Sequence, residues 1–245
     1  MALSPFLTTT PEKYAWSRPG YSDAPVIAAM DLLGKDRLSW LDLAAGTGAF
    51  SSMLLNAGQA VVALEPDRDM ARFFSQRFPE VELHVGSGEE AADLIDQKFD
   101  VVSVAQALHY MDLERVSRSV QRLAGGGLFV VCSNTGSSEG WLAAVSAYWY
   151  HLSLYKNPDP VAAAGSSLSD FFGEPDCSLE EVNSANYTWD RAWAFIESLS
   201  NFQTESAEVK NSLQQMAENL FKEHSTPAGN ILMSFAQSTN IYRVP

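Results

Sequence analysis

Two carboxylates, a pair of glycines and one histidine are the residues of this chain whose types and spacing could do chemistry. Leu41-Asp42-Leu43-Ala44-Ala45-Gly46-Thr47-Gly48-Ala49-Phe50 passes from apolar residues through an acid into small ones. An apolar run ending in an acid suits a buried strand, and the residues from Phe50 onward suit the start of a helix. Small residues at such a turn let a ligand approach the backbone closely, and the helix N-terminus behind them favours an anion. Asp42 can brace the loop or meet an ammonium group. Glu65 ends the next apolar run, where a carboxylate can accept two hydrogen bonds from a ribose diol. His109 is the candidate general base for a hydroxyl, because imidazole titrates near neutrality, with Gln106 and Tyr110 beside it to orient an acceptor. A dinucleotide loop, G-x-G-x-x-G, takes Gly46 and Gly48 but meets Ser51 at its third glycine, and Asp42 fits it less well. The plain alternative is a strand-loop-helix turn with no ligand.

Strands must carry these residues to one edge. Residues 40–43, 60–65, 81–85, 99–104 and 128–132 are expected strands, and residues 50–56, 70–78 and 113–123 are the expected helices between them. Asp23 is the expected cap of a helix over residues 24–33, and Asp67 that of the 70–78 helix. Gly125-Gly126-Gly127 reads as a C-terminal glycine stop. This alternation implies a parallel sheet with helices on both faces. Right-handed crossovers then place a ligand outside the carboxyl ends of the strands, beside the first. Residues 1–13 read as an arm, followed by the aromatic stretch from Tyr14 to Tyr21. Beyond the fifth strand the pattern changes: an aromatic helix over residues 141–154, a proline-containing loop at 156–165, a strand at 180–187, helices at 189–199 and 207–224, and a closing strand at 230–244. Trp16, Trp141 and Tyr148 could wall an acceptor pocket or serve as helical core.

The 245 residues allow one generous domain with room for an insertion. The net charge of −14 argues against nucleic-acid backbones and anionic membranes as partners. Cys132 and Cys177 make no disulfide framework, and the four histidines have no metal-ligand spacing, so no metal is expected. The start of the chain lacks the pattern of a secretory signal, and no apolar run approaches a membrane span, so a cytoplasmic protein is expected.

The loop resembles motif I of the class I S-adenosylmethionine-dependent methyltransferases in the form D-L-A-A-G-T-G, where the commoner pattern has Gly at the place of Ala44. The resemblance is to the superfamily that includes small-molecule methyltransferases of the ubiquinone-biosynthesis and trans-aconitate types. It implies that Asp42, Ala44, Gly46, Thr47 and Gly48 cradle the methionine end of the cofactor, that Glu65 holds the ribose, and that Pro66 and Met70 pack on the adenine. Gly86-Ser87-Gly88-Glu89 is similar to a G-D-A-E segment that reads the adenine amino group, with Ser87 replacing its acid. Ala105-Gln106-Ala107-Leu108-His109-Tyr110 looks like motif IV of the small-molecule branch, which implies cofactor contacts for Ala105 and Gln106. The D/N-P-P-Y/F segment of nucleic-acid amino methyltransferases is missing. Tyr14-Ala15-Trp16-Ser17-Arg18-Pro19-Gly20-Tyr21 resembles a Y-x-x-x-R-P-x-Y stretch that folds over the cofactor, which implies cofactor contacts for Tyr14 and Arg18 and acceptor contacts for Trp16 and Tyr21. Arg122 to Gly127 resembles the R-x-L-x-x-G-G turn that follows.

The resemblance implies an α/β, Rossmann-like, seven-stranded, mostly parallel sheet with helices on both faces and a C-terminal antiparallel hairpin. One methyltransferase domain is expected: residues 1–38 over the cofactor, 39–133 binding it, and 134–245 shaping the acceptor site. The expected reaction is methyl transfer from S-adenosylmethionine to a small organic acceptor, at oxygen (carboxylate or hydroxyl), releasing S-adenosylhomocysteine. A cofactor-retaining cyclase or rearrangement enzyme of natural-product biosynthesis, and a non-catalytic cofactor-binding protein, are the alternatives. Oligomeric state is not legible.

Overall fold

The computed structural model describes residues 9–152 and 168–245. The beginning of the arm, the loop at 156–165 and the end of the aromatic helix lie outside the described residues. The strands are β1 (Ser39–Leu43), β2 (Ala60–Glu65), β3 (Glu82–Val85), β4 (Val101–Ala105), β5 (Leu128–Gly136), β6 (Cys177–Tyr187) and β7 (Ile231–Arg243). They form one sheet in the order β3-β2-β1-β4-β5-β7-β6. The first five pair in parallel, with Asp42 level with Ala63 on one side and Ser103 on the other. Gly126 N–H donates to Val244 O and Val244 N–H to Gly127 O, each at 3.0 Å, so two residues oppose one, and with Gly126 at φ 83° this is a glycine bulge of an antiparallel pair. Ser178 bonds Asn240 and Ser184 bonds Ser234, so equal and opposite steps along β6 and β7 keep them in register, again antiparallel.

The described helices are α1 (Pro11–Ser17), α2 (Ala24–Leu33), α3 (Ala49–Asn56), α4 (Arg68–Arg77), α5 (Ala91–Leu94), α6 (Leu113–Ala124), α7 (Gly140–Leu152), α8 (Trp189–Glu197), α9 (Ser200–Thr204) and α10 (Ala207–His224). Asp67 caps α4 as expected, accepting from Asp69 and Met70 N–H at 2.9 Å. Asp23 does not cap α2 with its side chain: its ψ of 0° is already helical, and no side-chain cap bond forms. An N-cap needs an extended backbone to aim its carboxylate back at the first turn. Helix α1 corrects the reading of residues 1–13 as an arm throughout. Thr10 accepts from Lys13 N–H and Pro11 opens the helix, a start signal present in the sequence.

The chain divides into two compact units. The larger comprises Gly20–Asn134, Pro158–Glu181 and Gln237–Pro245; the smaller comprises Met1–Pro19, Thr135–Asn157 and Val182–Ala236. In the larger unit, alternate strand residues feed two apolar layers. Leu41, Leu43, Val102, Val104, Phe129 and Val131 enter one, packed with α6 residues Val116 and Val120. Trp40, Val101, Leu128, Val130 and Cys132 enter the other, with Val26 of α2 and Phe50 and Leu54 of α3. A period of two with both faces buried is what a parallel sheet sandwiched by helices requires. The smaller unit has an aromatic core that includes Trp141, Trp149, Trp193, Phe202, Phe221 and Phe235.

Candidate functional site

The alternation that builds the core also aims the loop's first acid. Asp42 shares the face of Trp40, toward α3, and is buried. Its Oδ2 accepts from Ser51 Oγ at 2.6 Å, and its Oδ1 from Ser103 Oγ at 3.3 Å. Burial outweighs these bonds and pushes the carboxyl up to about 6. Ser51, at the third-glycine position of a dinucleotide loop, therefore ties helix to strand with a hydroxyl that glycine lacks. Asp42 braces the turn, one of the two roles its position allowed.

The loop itself turns through left-handed backbone. Ala44 has φ 52°, Gly46 57° and Gly48 83°. For alanine this conformation costs about 1 kcal/mol. Ala44→Gly is therefore expected to hold or raise stability, by at most about 1 kcal/mol, because glycine's larger unfolded-state entropy offsets part of the relief. A urea midpoint that falls clearly would show that Ala44 is not strained. A Cβ on Gly46 would meet nothing within 4 Å, whereas one on Gly48 would lie 2.4 Å from Phe78 Cε2. The loop backbone is thus open at Gly46 and walled at Gly48. Thr47 is 2% exposed, and its hydroxyl has no partner among the described residues.

Glu65 reaches back to this loop from the end of β2. Its Oε2 accepts from Gly46 N–H at 2.7 Å and its Oε1 from Asp67 N–H at 2.9 Å. Burial is the largest influence on the carboxyl and raises it to about 7; the two backbone donors oppose this, while Asp67 and Asp42 reinforce it. Sequence reasoning expected a ribose ligand here and missed both backbone bonds, which involve main-chain groups common to every residue. Pro66 is exposed beside it and Met70 is buried.

After β3, Ser87 caps the turn Gly88–Glu90 in a capping box with Glu90, whose carboxylate those hydrogen bonds hold below its usual range. Glu89 instead accepts from Asp112 N–H at 2.9 Å, ahead of α6. Gly88 is buried, and a Cβ there would lie 3.2 Å from Met111 Sδ. After β4, Ala105 leads into Gln106, whose φ of 61° is left-handed for a residue with a side chain. Gln106 N–H donates to Cys132 O at 3.0 Å, and Gln106 Nε2 to Asn134 O at 2.5 Å. Asn134 Nδ2 donates in turn to Gly20 O at 3.1 Å, while Asn134 Oδ1 is buried with no partner among the described residues. Motif comparison had no signal for Asn134. His109 lies in the short turn Leu108–Tyr110, its ring 3.9 Å from that of half-exposed Tyr110.

Tyr21 packs edge-on against Phe50 at 5.2 Å and lines a cavity of about 390 Å³ with Asp23, Ala49, Ser52, Met53 and Asn56. None of Asp42, Gly46, Glu65 or His109 lines that cavity. Ser22 is held by Gln237, which accepts its N–H at 2.8 Å, and by Glu181. The other expected site residues belong to the smaller unit and have their own partners there. Arg18 donates to Ser198 O at 2.8 Å and lies over the Tyr14 ring at 4.6 Å. Trp16 is half exposed, and its carbonyl accepts from Arg191 Nε. Trp141 is buried and donates its indole N–H to Ala217 O at 2.8 Å, and Tyr148 packs against the same aromatic core.

Residues 41–131, which hold the loop, Glu65 and the His109 turn, match the family model described as a methyltransferase domain. Together with the fold, this defines the class that the chain is similar to: residues 41–131 match a methyltransferase domain, and the seven-stranded sheet is the one that methyltransferase structures share. Among its relatives, an uncharacterized methyltransferase of Mycobacterium tuberculosis is 34% identical over 131 residues, covering 53% of this chain and 52% of the relative. Demethylmenaquinone methyltransferase of Streptomyces griseus is 27% identical over 177 residues, 67% of this chain and 75% of the relative. The chain spans about half the length of the first of these. A solved structure of a candidate type II methyltransferase from Anaeromyxobacter dehalogenans superposes with a TM-score of 0.70 at 22% identity, covering 93% of this chain and 98% of that one. A candidate methyltransferase from an antibiotic biosynthesis pathway of Anabaena variabilis gives 0.56 at 20% identity, covering 88% and 95%. At these identities the two structures show the fold.

The residues present fit the family's cofactor. Its sulfonium and α-ammonium suit a loop flanked by the buried acids Asp42 and Glu65, neither of which pairs with a basic side chain among the described residues. The open backbone at Gly46 and the unpartnered Thr47 hydroxyl suit close approach of a polar ligand. Among the described residues no cluster is placed to hold a metal ion, and no helix is long and apolar enough to cross a membrane.

Proposed function

We propose that this chain uses S-adenosylmethionine to methylate a small organic acceptor at oxygen, either a hydroxyl or a carboxylate, and releases S-adenosylhomocysteine. The observation that carries the reading is Glu65 bonded back to the glycine loop at Gly46: one carboxylate and one open turn, both at the carboxyl ends of adjacent parallel strands. When bound, the cofactor supplies a methyl group already activated by a neutral leaving group. The protein's share is to hold Asp42, Glu65 and the loop in place, align the acceptor and exclude water; proximity of this kind supplies on the order of 7–11 kcal/mol. Gln106 and Tyr110 orient the acceptor, and His109 takes its proton where the acceptor is a hydroxyl. Tyr21, in the larger unit with the loop, is proposed to complete the acceptor surface. The relative named for demethylmenaquinone and the acidic composition support a small molecule over nucleic acid or an anionic membrane as partner.

Calorimetric titration with S-adenosylmethionine, S-adenosylhomocysteine and NAD tests the reading. Binding of the first two and not the third is expected, followed by methyl consumption in an acceptor screen. Binding without methyl consumption would favour a cofactor-retaining rearrangement enzyme or a non-catalytic binder. Glu65→Ala is expected to weaken S-adenosylhomocysteine about tenfold to a hundredfold, the worth of hydrogen bonds to a charged group; unchanged affinity would remove Glu65 from the site.

A further inference from the structure

Glu65 has an unusual electrostatic setting for a residue at the mouth of a ligand cleft. It is 5% exposed and takes one backbone N–H on each oxygen, from Gly46 and Asp67. The charged groups that act on it are Asp67, at the cap of α4, and Asp42, on β1, both acids. From β3, His84 is engaged with Glu82, and from the far end of α4, Arg77 donates to Thr47 O. Across the sheet, Cys132 is a buried thiol held far above neutrality, up to about 12, and stays uncharged. No described cation compensates the carboxylate. The Thr47 hydroxyl, buried and unpartnered in the same loop, is an independent mark that a polar ligand completes this place.

We propose that Glu65 makes cofactor binding proton-linked: an adenosyl ligand entering the loop expels a proton from this buried carboxyl, which no described cation compensates, to solvent. The proposal rests on the S-adenosylmethionine reading above. The balance is simple: one O–H bond of the carboxylic acid breaks, the proton passes to buffer, and the carboxylate gains the ligand's hydroxyl donors. The sign follows from burial, which raises the free carboxyl to about 7. Donors and a cationic ligand favour the ionised form and lower that value in the complex. Below neutrality the ligand must first displace a proton, so affinity rises with pH until the free carboxyl is ionised, and is then flat with respect to this group.

The test is calorimetry with S-adenosylhomocysteine in two buffers of different ionisation enthalpy, on the wild-type chain and Glu65→Gln. At pH 6 the wild type is expected to release close to one proton per site. Its affinity should be about tenfold higher at pH 7.0 than at pH 5.5, a window that stays below the usual range of an α-amino group. Glu65→Gln should lose the release that centres near pH 7, keeping only what Asp42, raised to about 6, contributes lower in the window. Wild-type binding without proton release, or release at pH 7.0 that persists undiminished in Glu65→Gln, overturns the proposal. Failure of the wild type to bind at every pH defeats the cofactor reading instead. In that case, or if the variant does not fold, carbon-13 titration of the Glu65 carboxyl in the free wild-type chain decides: a midpoint near 7 upholds the unusual protonation, and one in the ordinary carboxylate range sinks it.

Discussion

Replacing His109 by alanine is expected to lower turnover of a hydroxyl acceptor about 10²–10⁴-fold, the usual contribution of a positioned general base, while leaving cofactor affinity nearly unchanged. The expectation comes from placement. The turn Leu108–Tyr110 follows β4 directly, and two backbone bonds fix it: Tyr110 N–H to Ala107 O and Met111 N–H to Leu108 O, both at 3.0 Å. Leu108 is buried beneath it and Tyr110 is half exposed, so the turn is anchored on one side and open on the other. The ring contact with Tyr110 limits how far the imidazole can swing. The measurement is the pH–rate profile of wild type and His109→Ala with an acceptor found by screening. The wild type should gain rate as the imidazole loses its proton, and the variant should lose that limb. Full activity in the variant across pH would mean that His109 is no base and that the acceptor, such as a carboxylate, gives up no proton.

Gly48→Ala is expected to destabilise the chain by about 3 kcal/mol and to weaken S-adenosylhomocysteine binding more than a hundredfold. Two costs combine. The φ of 83° puts alanine in left-handed backbone, worth about 1–2 kcal/mol. Its Cβ would also lie 2.4 Å from Phe78 Cε2 and 3.0 Å from Phe74 Cδ2, and overpacking of this kind costs typically 1–3 kcal/mol. Phe78 is partly exposed and can move, but Phe74 is fully buried, with its ring 5.1 Å from that of Phe78. Gly48 also sets the start of α3, donating to Ala45 O and accepting from Ser52 N–H, both at 2.9 Å. Urea denaturation of Gly48→Ala alone and with Phe78→Ala separates the costs. Relative to Phe78→Ala alone, the added loss should shrink as the clash is relieved and stop at the backbone share. If Gly48→Ala unfolds at the wild-type midpoint, the loop is not held as described.

The parallel half of the sheet was legible because each strand is an apolar run cut off by an acid or a small residue. Residues 24–33, 60–65 and 207–224 were read to their observed ends. The glycine loop, Asp42 and Glu65 were legible as a group because strand order brings them to one edge. Side-chain cap bonds were legible only in part. Asp67 and Asp23 precede helices in the same way, yet only Asp67 has the extended backbone that aims a carboxylate at the first turn. The partners of Glu65 were hidden because they are main-chain N–H groups, and that of Glu89 because its contact with Asp112 depends on tertiary placement; the capping box of Ser87 and Glu90 is a local S-x-x-E pattern that comparison with G-D-A-E passed over. Asn134 was missed because β5 runs on to Gly136, beyond the apolar stretch that marked its expected end. The aromatics of the C-terminal half carry no periodicity that separates core from cleft, so Trp141 was read as a pocket wall or core; the structure gives it a hydrogen-bonded place in the core of its unit.

The antiparallel pairing of β6 with β7 frees the stretch between them to diverge. Both strands are fixed by their own pairings, Ser178 with Asn240 and Ser184 with Ser234, whatever fills residues 188–230. Doubling the length of a flexible connection costs only about 0.6 kcal/mol in closure entropy. Those residues form helices that pack on one another through aromatic side chains, Trp189 on Phe221 and Trp193 on Phe202. Selection can therefore rewrite this cassette, in length as well as in side chains, without slipping the sheet. Grafting the 188–230 stretch of a relative between the same two strands is therefore expected to leave the register of β6 and β7 intact.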